Sequence, residues 1–168
     1  KTFAETLRTE YDAVTGNNLG ALIEGGSTNL ALRSEELDNA TWFKGSITVT
    51  PNSIVAPDNT LSGDLITIMV ASGHALSQAI TVIASTQYAL SFYVKKGTAT
   101  DLKYSVYDST NLGNIVAPTS YFTEIGTDWT RISVTFTAPV GCTTVNIYPV
   151  RDSTVTGTAY FWGAQLEA

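Results

Sequence analysis

Residues 129–139, WTRISVTFTAP, decide the fold class. Ile132, Val134 and Phe136 alternate with Arg131, Ser133 and Thr135, and only an extended strand turns that period of two into one apolar and one polar face. The pattern recurs along the chain. Leu90, Phe92 and Val94 alternate with Ser91, Tyr93 and Lys95; Leu102, Tyr104 and Val106 with Lys103, Ser105 and Tyr107; Val145 and Ile147 with Asn146 and Tyr148. Each such segment buries one face and wets the other.

From about residue 45 onward, such runs are separated by Gly, Pro, Asn, Asp and Ser. GSITVTPN, LITIMVAS, SQAITVIA, YALSFYVKKG, DLKYSVYDS, WTRISVTFTAP, TTVNIYPVR and TAYFWGAQLE make eight candidate strands. Their number and spacing predict an all-β fold, a jelly-roll β-sandwich of two antiparallel sheets. LITIMVAS is apolar almost throughout, so it is either covered on both faces or bulged. Pro51, Pro57, Pro118 and Pro139 fall at strand ends or loops, whereas Pro149 lies inside TVNIYPVR and predicts an edge strand or a strand end there. SEELDNATWF is the best helical segment, with Ser34 as its cap, but it is short.

The chain has 168 residues, enough for one domain with its own core. We read residues 1–168 as a single sandwich domain, with 1–40 an irregular entry segment and first strand and 41–168 the main strands. The opening KTFAETLRTEYDAVTG reads as the interior of a longer chain, with no signal-peptide pattern. A net charge of −6 argues against nucleic acid as a partner, because phosphate neutralisation needs clustered Lys and Arg. No apolar run approaches the roughly 18 residues that cross a bilayer as a helix, so no membrane insertion is expected. The single cysteine, Cys142, opens a strand and reads as a small buried apolar residue.

Catalytic arrangements find little support. His74 is the only histidine, sits after a glycine in VASGHALSQAI and reads as a loop residue, exposed or hydrogen-bonded, with Gln78 nearby. The acids sit mostly in turn contexts such as APDN, YDST and GTDW, where Asp caps its own backbone. IEGGSTN lacks the lysine and the βαβ setting of a phosphate loop, and reads as a turn. SEELDN lacks the oxygen spacing of an EF-hand.

What remains is the polar and aromatic set facing outward: Tyr93, Lys95, Lys103, Tyr107, Arg131, Asn146 and Tyr148. On one sheet face they would form flat rings rimmed by hydrogen-bond donors. Sugar C–H faces pack on such rings, and hydroxyls take such donors. The bland alternative is that tyrosine simply suits a half-exposed strand.

Two stretches also carry a resemblance. Asp12–Gly16, Leu22–Glu24, Thr28–Leu30, Ser34–Asp38 and Trp42 follow an opening signature close to DPVTG…GLLIE…TNLLLQSEDFSNAAW, and Trp162–Glu167 spell the closing WGAQLE. Together they resemble a carbohydrate-binding-module-like jelly-roll domain of bacteriophage tail and tail-fibre proteins. The resemblance implies a non-catalytic β-sandwich carried in a larger, commonly trimeric virion fibre. It implies host cell-surface glycan as partner, or a structural role joining neighbouring chains of the fibre. More distant modules of this type carry a structural calcium held by acids after the first strand and in the last. Asp38 matches the first position, but Ala164 and Gln165 stand where the second acid is expected, so no cofactor is expected. The proline and arginine that relatives carry in IEPARTNLL are missing from IEGGSTNLA.

Overall fold

The computed structural model describes residues 9–11, 18–21, 28–152 and 155–168. Asp12–Gly16 and Leu22–Glu24 of the opening signature lie outside the described residues. The strands, in chain order, are β1 (Thr9–Tyr11), β2 (Asn18–Ala21), β3 (Phe43–Gly45), β4 (Ile47–Ile54), β5 (Gly63–Ile68) and β6 (Ala75–Thr81). They continue with β7 (Gln87–Lys96), β8 (Lys103–Asp108), β9 (Gly113–Ser120), β10 (Thr130–Thr137), β11 (Thr144–Arg151) and β12 (Gly157–Glu167). β1 and β2 pair with each other. The other ten form two five-stranded sheets, ordered β10-β7-β12-β5-β4 and β3-β6-β11-β8-β9. Every pairing is antiparallel. The expected sandwich is what the chain forms.

The alternating residues face one another across the sandwich. The first sheet contributes Ile132 and Phe136 from β10, Tyr88, Leu90, Phe92 and Val94 from β7, and Ala159, Phe161 and Leu166 from β12, all buried. The second contributes Leu76 and Ile80, Val145 and Ile147, and Val106. Phe92 stacks on Phe161 at 5.8 Å and meets the edge of Tyr121 at 5.5 Å. Tyr121, fully buried, donates its hydroxyl to the Pro149 carbonyl at 2.9 Å, and burial lifts its pKa well above the usual tyrosine value. Each buried Leu, Ile or Phe contributes about 1.5–3 kcal/mol relative to exposure. Cys142 is buried as expected, and burial pushes its thiol up.

The entry segment is stitched to the last strand. The Leu30 N–H donates to the Leu166 carbonyl at 2.8 Å, and the Asn29 side chain both accepts from the Leu166 N–H and donates to the Ala164 carbonyl. Gln78 bonds both the N–H and the carbonyl of Leu32, so an amide side chain pairs the segment as a strand would. The two signatures are thus neighbours in space, although more than 120 residues separate them in sequence.

Three local expectations need correction. SEELDNATWF forms no helix: Glu36, Asn39 and Trp42 each donate a backbone N–H three residues back, making successive turns. Pro149 does not mark an edge, since β11 lies between β6 and β8. It is tolerated because the ladder to β6 skips from Ile147 to Val150, a bulge that asks no N–H of Pro149. Pro51 and Pro118 lie inside β4 and β9, which are both edge strands. His74 is a hydrogen-bonded loop residue as read, 1% exposed and with Nδ1 2.9 Å from the Val70 carbonyl. Beyond these, β3 and β9 add strands that alternation did not reveal. LITIMVAS needs no second cover, because β5 ends at Ile68 and leaves Met69 and Val70 exposed.

Two substitutions test this scaffold. Gly163 sits at φ 63°, and there the register of β12 against β7 shifts between Trp162 and Gln165. Gly163→Ala places a side chain in the left-handed region and is expected to lower unfolding stability by about 1–2 kcal/mol. Denaturant melts read the change, and an unaltered midpoint would count against the bulge as a constraint. Asp64, buried on β5, accepts the N–H groups of Leu37 (2.8 Å) and Asn52 (3.0 Å), joining the entry loop to β4. Burial pushes its carboxyl above the usual range against the pull of those donors, and Asp38 and Glu36 add to the rise. A raised folded pKa means that the folded chain holds the proton more tightly. Its stabilisation is therefore full below the ordinary carboxylate range and is lost as pH rises through the folded value. Asp64→Asn, which turns an amide donor toward one of the two N–H groups, is expected to cost about 1–3 kcal/mol. The gap to wild type should narrow as pH rises through the ordinary carboxylate range and above it; a widening gap would refute the assignment.

Candidate functional site

The seven residues expected to share one platform lie on two opposite faces. Tyr93 and Lys95 on β7 and Arg131 on β10 face outward from the first sheet. Lys103 and Tyr107 on β8 and Asn146 and Tyr148 on β11 face outward from the second. The strand readings hold, but the single platform does not, because alternation fixes which side of a strand is wet and is silent on which sheet the strand joins.

The first sheet's outer face is satisfied within itself. Tyr93 packs on Trp162 at 5.6 Å, and Trp162 donates its indole N–H to the Ser62 hydroxyl at 2.9 Å. Trp162 is thus on the outer face and half-buried, whereas Trp42 enters the core, donating to the Arg33 carbonyl at 3.0 Å. The Arg131 guanidinium donates to the Ser91 hydroxyl at 2.9 Å and reaches Gln165 at 3.4 Å.

The second sheet's outer face is a trough. Ser77 and Ala79 on β6, both short, form the floor, with Ala79 exposed and Ser77 buried. On one side β3 pairs Phe43 with Ser77; on the other β11 pairs Asn146 with Ala79, and Tyr148 stands next to it. The flanking strands are two spacings apart, about 10 Å. The trough encloses about 660 Å³ and is rimmed by Ala40, Thr41, Trp42 and Lys44. A second hollow of about 480 Å³, lined by Leu30, Leu32 and Thr81, shares Thr41 and Ala79 with it. The two hollows continue one another toward the sheet edge.

Phe43 is 63% exposed, a large apolar ring facing water. Its position follows from Gly45: a Cβ there would lie 2.9 Å from the Phe43 ring, so the ring lies over the glycine. Tyr107 pairs with Asn146 and extends the aromatic wall to β8. Arg151 is not in the trough's lining but stands against its Tyr148 wall, with its guanidinium 4.3 Å from the Tyr148 ring centre and 5.4 Å from that of Tyr107. Lys103, at the start of β8, is 3.6 Å from Asp101.

Phe43, Ser77, Ala79 and Arg151 escaped the sequence reading. Phe43 lay in a segment read as helical. For Arg151 the cause is the β11 bulge. Counting by twos from Val145 and Ile147 points residue 151 into the core, but the extra residue at Pro149 resets the phase, burying Val150 and turning Arg151 outward.

The residues do not fit a calcium ion at Asp38. The carbonyl oxygens of Asp38, Asn39 and Trp42 converge on the Lys44 ammonium at 3.0, 2.7 and 2.8 Å, so three acceptors already meet the three donors of one cation. Gln165, where the second acid would stand, bonds Ser91 and Arg131 instead. Among the described residues no group of three His, Cys, Asp or Glu could hold a metal ion.

Residues 69–150, just under half of the chain, match the model of a family described as a carbohydrate binding domain. The matched segment includes Ser77, Ala79, Tyr107, Asn146 and Tyr148, and ends one residue before Arg151. No curated protein matches the chain. Among solved structures, the CBM22-1 xylan-binding domain of Paenibacillus barcinonensis Xyn10C is similar, with TM-score 0.61 and 16% identity over 84% of this chain and 95% of that one. A structure described as "CBM4 structure and function" superposes with TM-score 0.56 and 18% identity, covering 79% of this chain and 90% of its own. The enzymatically active domain of tailspike protein 4 of bacteriophage CBA120 gives TM-score 0.59 and 17% identity over 82% of this chain. The match spans 21% of that tailspike chain. These likenesses establish the fold, a jelly-roll sandwich of the kind found in carbohydrate-binding modules.

Proposed function

We propose that the chain is a non-catalytic glycan-binding domain and that the trough on the second sheet is its binding site. The observation that carries the reading is an exposed Phe43 facing Tyr148 across a floor of Ser77 and Ala79. One sugar ring fits between the walls, its C–H faces against the rings and its hydroxyls on Asn146 and the tyrosine hydroxyls. The match of residues 69–150 to a carbohydrate-binding family supports it, as do the xylan-binding domain's similar fold and the resemblance of the two signature stretches. Tyr93, Lys95 and Arg131 have no part in this site, because they lie on the opposite face.

We also propose the setting: a module of a phage or phage-like fibre or spike that attaches the particle to surface polysaccharide of its host. The resemblance at both signatures and the tailspike structure of similar fold support this. A single site of this kind binds weakly, and several copies on one particle would raise the effective affinity.

A glycan array followed by titration calorimetry tests the site. Phe43→Ala and Tyr148→Ala are each expected to weaken binding about tenfold, the equivalent of about 1.4 kcal/mol. Tyr93→Ala on the far sheet is expected to leave affinity unchanged. The opposite ranking, or no binding by wild type to any glycan, would overturn the proposal.

A further inference from the structure

We propose that the trough selects acidic glycans, and that Arg151 is the group that receives the sugar's carboxylate. The inference rests on the glycan reading above and names the ligand class for the same site.

Two aromatic rings hold the Arg151 guanidinium at 4.3 and 5.4 Å, which orders a long side chain before any ligand arrives. Among the described residues its side chain makes one hydrogen bond, a long one from Nη1 to the Ser105 hydroxyl at 3.4 Å. Among the described residues no carboxylate comes within salt-bridge distance of it. The neighbouring Asp152 accepts the Gly73 N–H at 2.6 Å. Arg151 therefore presents a planar fork of donors, oriented and largely uncommitted, and that fork matches a carboxylate two bonds at a time.

Contrast with the other cations sharpens the point. Arg131 spends its donors on Ser91 and Gln165. Lys44, on the rim of the trough that Arg151 adjoins through Tyr148, gives its donors to three carbonyls and so adds positive potential without competing for the ligand. A chain of net charge −6 thus places an unneutralised guanidinium and a caged ammonium on one side of one sheet. Neutral sugars ask for no such arrangement. A uronate, with a carboxylate on a ring that can stack, uses both the aromatic walls and the fork.

The experiment compares neutral β-1,4-gluco-, xylo- and galacto-oligosaccharides with oligomers of glucuronate, galacturonate and mannuronate, by calorimetry at low and high salt. The acidic series is expected to bind about tenfold or more tightly, with the advantage shrinking as salt rises. Arg151→Gln should erase that preference, and Arg151→Lys should keep only part of it, since an ammonium lacks the planar fork. Lys95→Gln removes the same charge from the opposite face and should leave the preference intact; thermal melts confirm that each variant folds. Neutral sugars binding as tightly as acidic ones, or an acidic preference that survives Arg151→Gln, would overturn this inference and leave the glycan reading standing. Failure of every sugar in both series to bind would overturn both.

Discussion

The phase of alternation is the constraint on which everything else hangs. A sandwich needs each strand to present its apolar side chains to the seam, and a strand longer than a few residues must hold that phase or reset it by a bulge. Two of the strands that reset it, β12 and β11, shape the outer faces. In β12 Gly163 takes φ 63°; before it Ala159 and Phe161 face the seam, after it Ala164 and Leu166 do, and Trp162 and Gln165 are left outside. In β11 the shift between Ile147 and Val150 does the same, and Arg151 is left outside. The extra residue in β11 thus turns Arg151 toward Tyr148 and Tyr107, and the one in β12 turns Gln165 to the face that carries Trp162 and Tyr93.

Polar bonds then decide how the edges close. Asn29 and Gln78 act as substitutes for backbone, tying the entry segment to β12 and β6. Asp64 joins the loop at Leu37 to the turn at Asn52. The result is a rim around β6 built by residues 30–44, and that rim makes a trough of what would otherwise be a flat sheet face. The described part of the opening signature, residues 28–30, 34–38 and 42, therefore helps to build the wall of the proposed site.

How much of this could be read in advance follows from the physics of each signal. Alternation is local, so WTRISVTFTAP and YALSFYVKKG announced their strands and their buried residues correctly. Sheet membership depends on contacts far apart in sequence, and nothing in a single strand records it; hence Tyr93 and Tyr148 were expected on one platform and lie on two. Bulges break the period that reveals strands, so the outward turn of Arg151 was missed. Short edge strands give too few residues for a period to register, which hid β3 and with it Phe43. Turn acids were legible because Asp capping is also local: Asp58 bonds Thr60, and Asp108 bonds Thr110 and Asn111.

The two outer faces differ less in composition than in what their donors are doing. Both carry tyrosine and a cation. On the first sheet the guanidinium, the indole N–H and the aromatic ring each have a partner of their own within the chain, so a ligand arriving there must displace bonds already made. On the second, the exposed ring of Phe43 has water to lose, and Arg151 has donors to give. Binding free energy comes from the difference between free and bound states, so unmet capacity favours a ligand where satisfied capacity does not. Small side chains at Ser77 and Ala79 add the remaining requirement, room for a ring to descend onto the sheet. A larger residue at the exposed Ala79 would fill the floor, which is why the proposed site resides in what β6 leaves out as much as in what its neighbours supply.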